Sequence, residues 1–133
     1  MIKSVLVTGG LGYIGGRVCQ YLARESSIQL RVGTRDYQQS KPDWLNNGYL
    51  VNFDLDGQDS LDKVCDGVHS IVHLAANNEI DCAADPIRAL NINSLGSIKL
   101  LNAAIKAGVQ RFIYLSTAHV YGSPLSGTLT EET

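Results

Sequence analysis

Short aliphatic runs alternate along this chain with stretches whose apolar residues recur at helical spacing. Ser4–Thr8 is an apolar run closed by glycines and predicts a first strand. Tyr13–Arg24 carries Ile14, Val18, Tyr21 and Leu22 on one face and predicts a first helix. Ile28–Thr34 and Tyr49–Phe53 read as the second and third strands, the former weakened by Arg31 and Gly33, and a short helical turn over Ser60–Val64 follows. Ser70–Ala75 predicts a fourth strand and Arg111–Ser116 a fifth. Between those two, Asp85 reads as an N-cap and Pro86 as the first helical residue. That helix should run to Lys106 or Ala107 and stop at Gly108, a position suited to a left-handed cap. Residues 122–133, with Pro124, Gly127 and several hydroxyls, read as loop. Strands alternating with helices imply right-handed crossovers and a parallel sheet covered on both faces.

Composition narrows the class. The 133 residues suit one domain, residues 1–133, large enough for a core. The hydrophobic class makes up 44% and charged residues 18%, with a net charge of −2, which argues against a nucleic-acid binder. No apolar run is long enough to span a bilayer, and the N-terminus shows no secretory pattern, so a cytoplasmic setting is expected. The three cysteines, Cys19, Cys65 and Cys82, are widely spaced and form no C-x-x-C pair. No metal site is expected, and no disulfide framework.

The stretch that carries chemistry is Thr8-Gly9-Gly10-Leu11-Gly12-Tyr13-Ile14-Gly15. Gly9, Gly12 and Gly15 lie between a predicted strand and a predicted helix. In that context early glycines permit a tight turn and close approach of backbone to a pyrophosphate. The third lets helix and strand pack closely, and the helix N-terminus offers amides and a positive dipole end. The expected ligand is a nicotinamide dinucleotide held by a Rossmann-type doubly wound sheet. About 20 residues on, such a site needs a group for the adenosine ribose. Here strand two ends Gly33-Thr34-Arg35-Asp36. Thr34 stands where an acid is expected, and the Arg35 guanidinium can hold a 2′-phosphate, which favours NADP. Asp36 could instead accept from a ribose hydroxyl, so NAD stays open.

With these residues quoted, the chain resembles the extended short-chain dehydrogenase/reductase family of nucleotide-sugar epimerases and dehydratases. The likeness extends from the glycine loop to Asp54-Leu55, His73-Leu74-Ala75-Ala76, Asn93-x-x-Gly96-Ser97 and Ser116-Thr117-Ala118-His119-Val120-Tyr121-Gly122. The resemblance implies that Asp54 and Leu55 face the adenine, and that Leu74, Ala75 and Ala76 line the path of the ribose and pyrophosphate. It further implies that Asn93 lies near the active site, with Asn91 a rival, and that Ser116 lies beside the cofactor. Thr117 matches the family's catalytic Ser/Thr, whose hydroxyl would bond a substrate oxygen while a proton moves.

The family's chemistry also rests on a Tyr-x-x-x-Lys pair on one helix face, where the ammonium lowers the phenol's pKa. The literal spacing occurs only at Tyr37 and Lys41, on the adenosine side and followed by Pro42, which disfavours a helix there. In the family the pair lies beyond the Val-Tyr-Gly segment. The resemblance therefore implies the cofactor-binding first portion of a longer enzyme, inactive alone, with the nucleotide-sugar substrate met mainly by the remainder. The sheet would be incomplete at its C-terminal edge, and exposed apolar surface there would invite homo-oligomers in the complete protein. A non-catalytic dinucleotide sensor is the alternative function.

Overall fold

The computed structural model describes every residue except Met1, Gly57, Ser123 and Leu125. Five parallel strands, β1 (Lys3–Thr8), β2 (Ile28–Thr34), β3 (Gly48–Asn52), β4 (Ser70–His73) and β5 (Arg111–Tyr114), pair in the order β3-β2-β1-β4-β5. The chain winds outward from β1 to β3, then crosses back to lay β4 on the other side of β1. In an open α/β sheet, this reversal leaves a crevice at the carboxyl ends of the strands.

Alternation along β1 decides the two layers. Leu6 joins Phe53, Leu61, Ile71 and Leu100 beneath α2 (Gln58–Cys65) and α5 (Ser97–Lys106). Val5 and Val7 join Cys19, Leu30, Val32 and Leu45 beneath α1 (Tyr13–Leu22). Each fully buried aliphatic side chain contributes about 1.5–3 kcal/mol, so the two clusters hold the sheet between its helices.

Element ends differ from the sequence reading for local reasons. β4 stops at His73 because the amides of Leu74 and Ala75 turn to the Thr8 hydroxyl, at 3.1 Å each. β5 stops at Tyr114, short of Ser116, and β3 begins one residue early at Gly48. The turn expected over 60–64 is the longer helix α2. A helix that the pattern did not signal, α3 (Glu79–Ala84), starts at Asn78, whose side chain accepts the Asp81 amide at 2.9 Å. Ala118–Tyr121 forms a single 3-10 turn.

The long helix starts and stops as predicted. Asp85 accepts the Arg88 amide at 3.0 Å, Pro86 follows it, and Gly108 ends the helix at φ +73°. Its middle is not regular. α4 (Pro86–Leu90) passes through a π turn over Asn91–Gly96 before continuing as α5. Gly96 sits so close beneath Leu55 that a Cβ there would lie 2.9 Å from the Leu55 Cβ.

On the outer side Ile98, Leu101 and Ile105 of α5, with Ile113, Tyr114 and Leu115 at β5, remain exposed. This is the apolar edge that the sequence led us to expect. Among the described residues no helix is long and apolar enough to cross a membrane, and no group of three or more His, Cys, Asp or Glu could hold a metal ion.

Candidate functional site

Gly9 turns the chain out of β1 at φ +66°, and a Cβ there would meet the Ala75 backbone at 3.0 Å. The Gly12 amide returns to the Gly9 carbonyl at 3.0 Å, closing the loop. Gly15 is buried directly above that carbonyl, so the first turn of α1 rests on the loop. Gly12 is the N-cap with no side-chain cap, and the first turn contains no acidic residue. The opening amides of α1 therefore have no partner within the helix, and the positive end of its dipole is not neutralised by a carboxylate of its own turn.

A cleft of about 300 Å³ opens at this helix mouth. That volume lies at the lower end of the range for small-molecule sites. Gly9 and Gly12 form its floor, Arg35 lies at the end of β2, Asp54 and Leu55 follow β3, and Ala75 and Ala76 follow β4. Seven residues singled out in the sequence thus meet around one space, at the β1/β4 reversal.

Others lie elsewhere. The Tyr13 side chain is exposed and receives a hydrogen bond from Arg17 at 3.4 Å, while Ile14 is also exposed, so neither side chain lines the cleft. Leu74 packs into the α1-side core beside the cleft. Ser116 and Thr117 are exposed beyond β5. Asp36 does not line the cleft, and its amide bonds back to the Thr34 hydroxyl at 3.2 Å. The structure also adds Asn77, Asp56 and Arg88 to the lining, the last two 3.9 Å apart as an exposed ion pair. Arg88 comes from α4, far along the chain, and only the fold brings it here.

Asn93, rather than the exposed Asn91, reaches the loop after β4. Its Oδ1 accepts the Asn77 amide at 2.7 Å, and its Nδ2 donates to the Asn77 carbonyl at 3.1 Å. Thr8 and His73, the buried polar residues of the described chain, join beneath the same loop at 2.6 Å. Burial holds the His73 imidazole down from 6.5 to about 4, so the ring is neutral at physiological pH.

A family model for the NAD dependent epimerase/dehydratase family matches residues 5–133. The chain belongs to the NAD-dependent epimerase/dehydratase family. Among family relatives, it is 32% identical over 140 residues to UDP-glucose 4-epimerase of Rhizobium meliloti (strain 1021), covering 97% of this chain and 40% of that protein. It is 34% identical over 143 residues to dTDP-glucose 4,6-dehydratase of Streptomyces niveus, covering 96% and 42%. A solved structure described as MoeE5 in complex with UDP-glucuronic acid and NAD superposes with TM-score 0.81 at 27% identity, covering 98% of this chain and 42% of that one. The chain spans about two-fifths of the length of the curated relatives it matches. What matches is the NAD-binding part of the family's Rossmann-type fold.

Proposed function

We propose that this chain binds a nicotinamide dinucleotide across the β1/β4 crevice, as the cofactor portion of an oxidoreductase that transfers a hydride at a carbon of a nucleotide sugar. The observation that carries this reading is the mouth of α1. The N-cap Gly12, which has no side-chain cap, lines the cleft together with Gly9, and the Cβ that Gly12 lacks would meet only the Gly9 carbonyl, at 3.2 Å. A diphosphate suits such a cradle.

In this reading the amides of residues 12–15, including those of Tyr13, Ile14 and Gly15, hold the pyrophosphate. Asp54 and Leu55 flank the adenine, and Leu74, Ala75 and Ala76 border the ribose and pyrophosphate. Asn93 holds the loop that forms this border, and Ser116 stands beside the nicotinamide end. The bound nicotinamide supplies hydride acceptance and return. Thr117, at the carboxyl end of the sheet, supplies a hydroxyl to the substrate oxygen.

For the adenosine end we read NADP. Arg35 lines the cleft and can take a 2′-phosphate, whereas Asp36 stands outside it.

Calorimetric titration of the folded chain with NADPH and NADH tests the proposal. Binding of at least one, without turnover of UDP-glucose, is expected, because Tyr37 and Lys41 lie in an irregular segment between β2 and β3. No heat with either cofactor would overturn it. A dinucleotide sensor would bind in the same way. A natural reading frame that continues into a Tyr-x-x-x-Lys helix decides for the enzyme.

A further inference from the structure

The Thr8 hydroxyl has three partners: His73 Nδ1 at 2.6 Å and the amides of Leu74 and Ala75 at 3.1 Å each. A hydroxyl has one proton and two lone pairs. The amides can only donate, so they occupy the lone pairs, and the proton is directed at His73. Across the ring, Nε2 lies 2.9 Å from Ser97 Oγ, whose own proton goes to the Asn93 carbonyl at 2.7 Å. Nε2 must therefore supply the hydrogen of that contact. One neutral tautomer satisfies both ends, with Nδ1 bare and the hydrogen on Nε2. The ring is 1% exposed, and Phe53, Phe112 and Tyr114 pack around it with centroids 5.8–6.5 Å away.

The circuit closes on the cleft. Thr8 holds the start of the Leu74–Asn77 loop, and the Asn93 side chain holds its end at Asn77. His73 joins the two anchors through Ser97. We propose that His73 is a positioning residue of the dinucleotide site, a single-tautomer link that fixes the height of the Ala75–Asn77 loop against the glycine loop. A purely structural core position would accept a hydrophobe of equal volume. This position requires an acceptor toward Thr8 and a donor toward Ser97. The inference rests on reading the crevice as a dinucleotide site, and the test separates the two.

Ring 15N shifts of the wild-type chain at neutral pH should show a protonated Nε2 and a bare Nδ1; the opposite tautomer, or an exchanging mixture, would overturn the proposal. Amide exchange at Ala75 and NADPH affinity are then compared for His73→Leu and His73→Asn. The Asn carbonyl oxygen can stand near the place of Nδ1 and accept from Thr8, whereas Leu cannot. His73→Leu should speed exchange at Ala75 and weaken NADPH binding about tenfold, and His73→Asn should recover most of that loss. A Leu variant that binds like wild type, or an Asn variant no better than Leu, would sink the idea. Should the Leu variant fail to fold, the wild-type tautomer and the Asn variant decide: a protected Ala75 amide sustains the link, and an unprotected one removes it. If folded wild type binds neither NADPH nor NADH, the reading of the crevice fails, while exchange at Ala75 still decides whether His73 holds the loop.

Discussion

Asn93 grips Asn77 by both backbone polar groups, accepting its N–H at 2.7 Å and donating to its C=O at 3.1 Å. No other residue type of that length offers an acceptor and a donor side by side. Asn93→Asp keeps the acceptor but turns a second acceptor toward the Asn77 carbonyl. A half-buried polar group left facing a like partner costs about 1–3 kcal/mol. We expect thermal unfolding of Asn93→Asp to fall measurably and NADPH binding to weaken, because Asn77 and Ala76 border the cleft. Unchanged melting and affinity would show that the grip does not hold the loop.

Two glycines of the same loop should fail in different ways. A Cβ on Gly15 would lie 2.1 Å from the Gly9 carbonyl oxygen and 2.8 Å from the Gly10 Cα, both backbone atoms. Gly15→Ala should therefore destabilise the fold by about 2 kcal/mol or more. A Cβ on Gly12 meets only the Gly9 carbonyl at 3.2 Å, and its φ of −73° is open to any residue. Gly12→Ala should melt close to wild type yet bind NADPH more weakly, since the methyl group stands at the helix mouth. Melting curves and titrations on the same two variants check the contrast.

The strands and the glycine loop were legible because each is a local pattern: β-branched runs, glycines between strand and helix, and Asp85-Pro86 at a helix start. The cap at Asp85 and the stop at Gly108 are local in the same way. What the sequence could not show depends on sequence-distant neighbours. Arg88 lies on α4, about fifty residues beyond Arg35 in the chain, and only the fold brings it to the cleft. The π turn over Asn91–Gly96 leaves no mark in the apolar spacing. The six residues of α3 are too few for a periodicity, and its start rests on one cap, the Asn78 side chain on the Asp81 amide. Tyr13 and Ile14 follow the motif, but their side chains are exposed and do not line the cleft.

The thiols should separate by burial. Burial pushes Cys19 up to about 12 and, with Asp62 nearby, Cys65 to about 11, against an ordinary value of 9.0. Cys82 is half-buried, with its Sγ 3.6 Å from the Asn77 carbonyl and from Asn93 Nδ2. At neutral pH a thiol reagent should therefore label one cysteine of the native chain quickly, and all three after denaturation. Mass mapping that finds Cys19 or Cys65 labelled first would contradict the packing of both helices.

Arg35→Asp tests the adenosine end. Replacing a phosphate partner by a carboxylate removes charge-assisted hydrogen bonds and adds repulsion. Such bonds correspond to about ten- to a hundredfold in affinity. NADPH should weaken by that order while NADH holds or improves. Equal weakening of both would assign Arg35 to the cleft wall and remove the preference for NADP.

His73 makes stability depend on pH in a direction that can be worked out. In the unfolded chain its imidazole titrates near 6.5, and in the fold burial lowers it to about 4. Between those values the unfolded state carries a proton that the folded state does not, so stability rises with pH there. The contribution is complete above 6.5 and is lost as pH falls toward 4, at up to about 1.4 kcal/mol per pH unit and about 3 kcal/mol in all. Carboxylates titrate in the same range, so the measurement is a difference. Denaturant midpoints of wild type minus those of His73→Asn, from pH 7 to pH 4, should fall steadily. Parallel curves would mean that the buried ring is not what titrates. Below pH 4 a proton on Nδ1 would face a Thr8 oxygen whose lone pairs already hold the Leu74 and Ala75 amides. One of those amides must then let go, so dinucleotide affinity of the folded chain should hold between pH 6.5 and 5 and fall only as pH drops through about 4, where the folded ring itself takes up the proton.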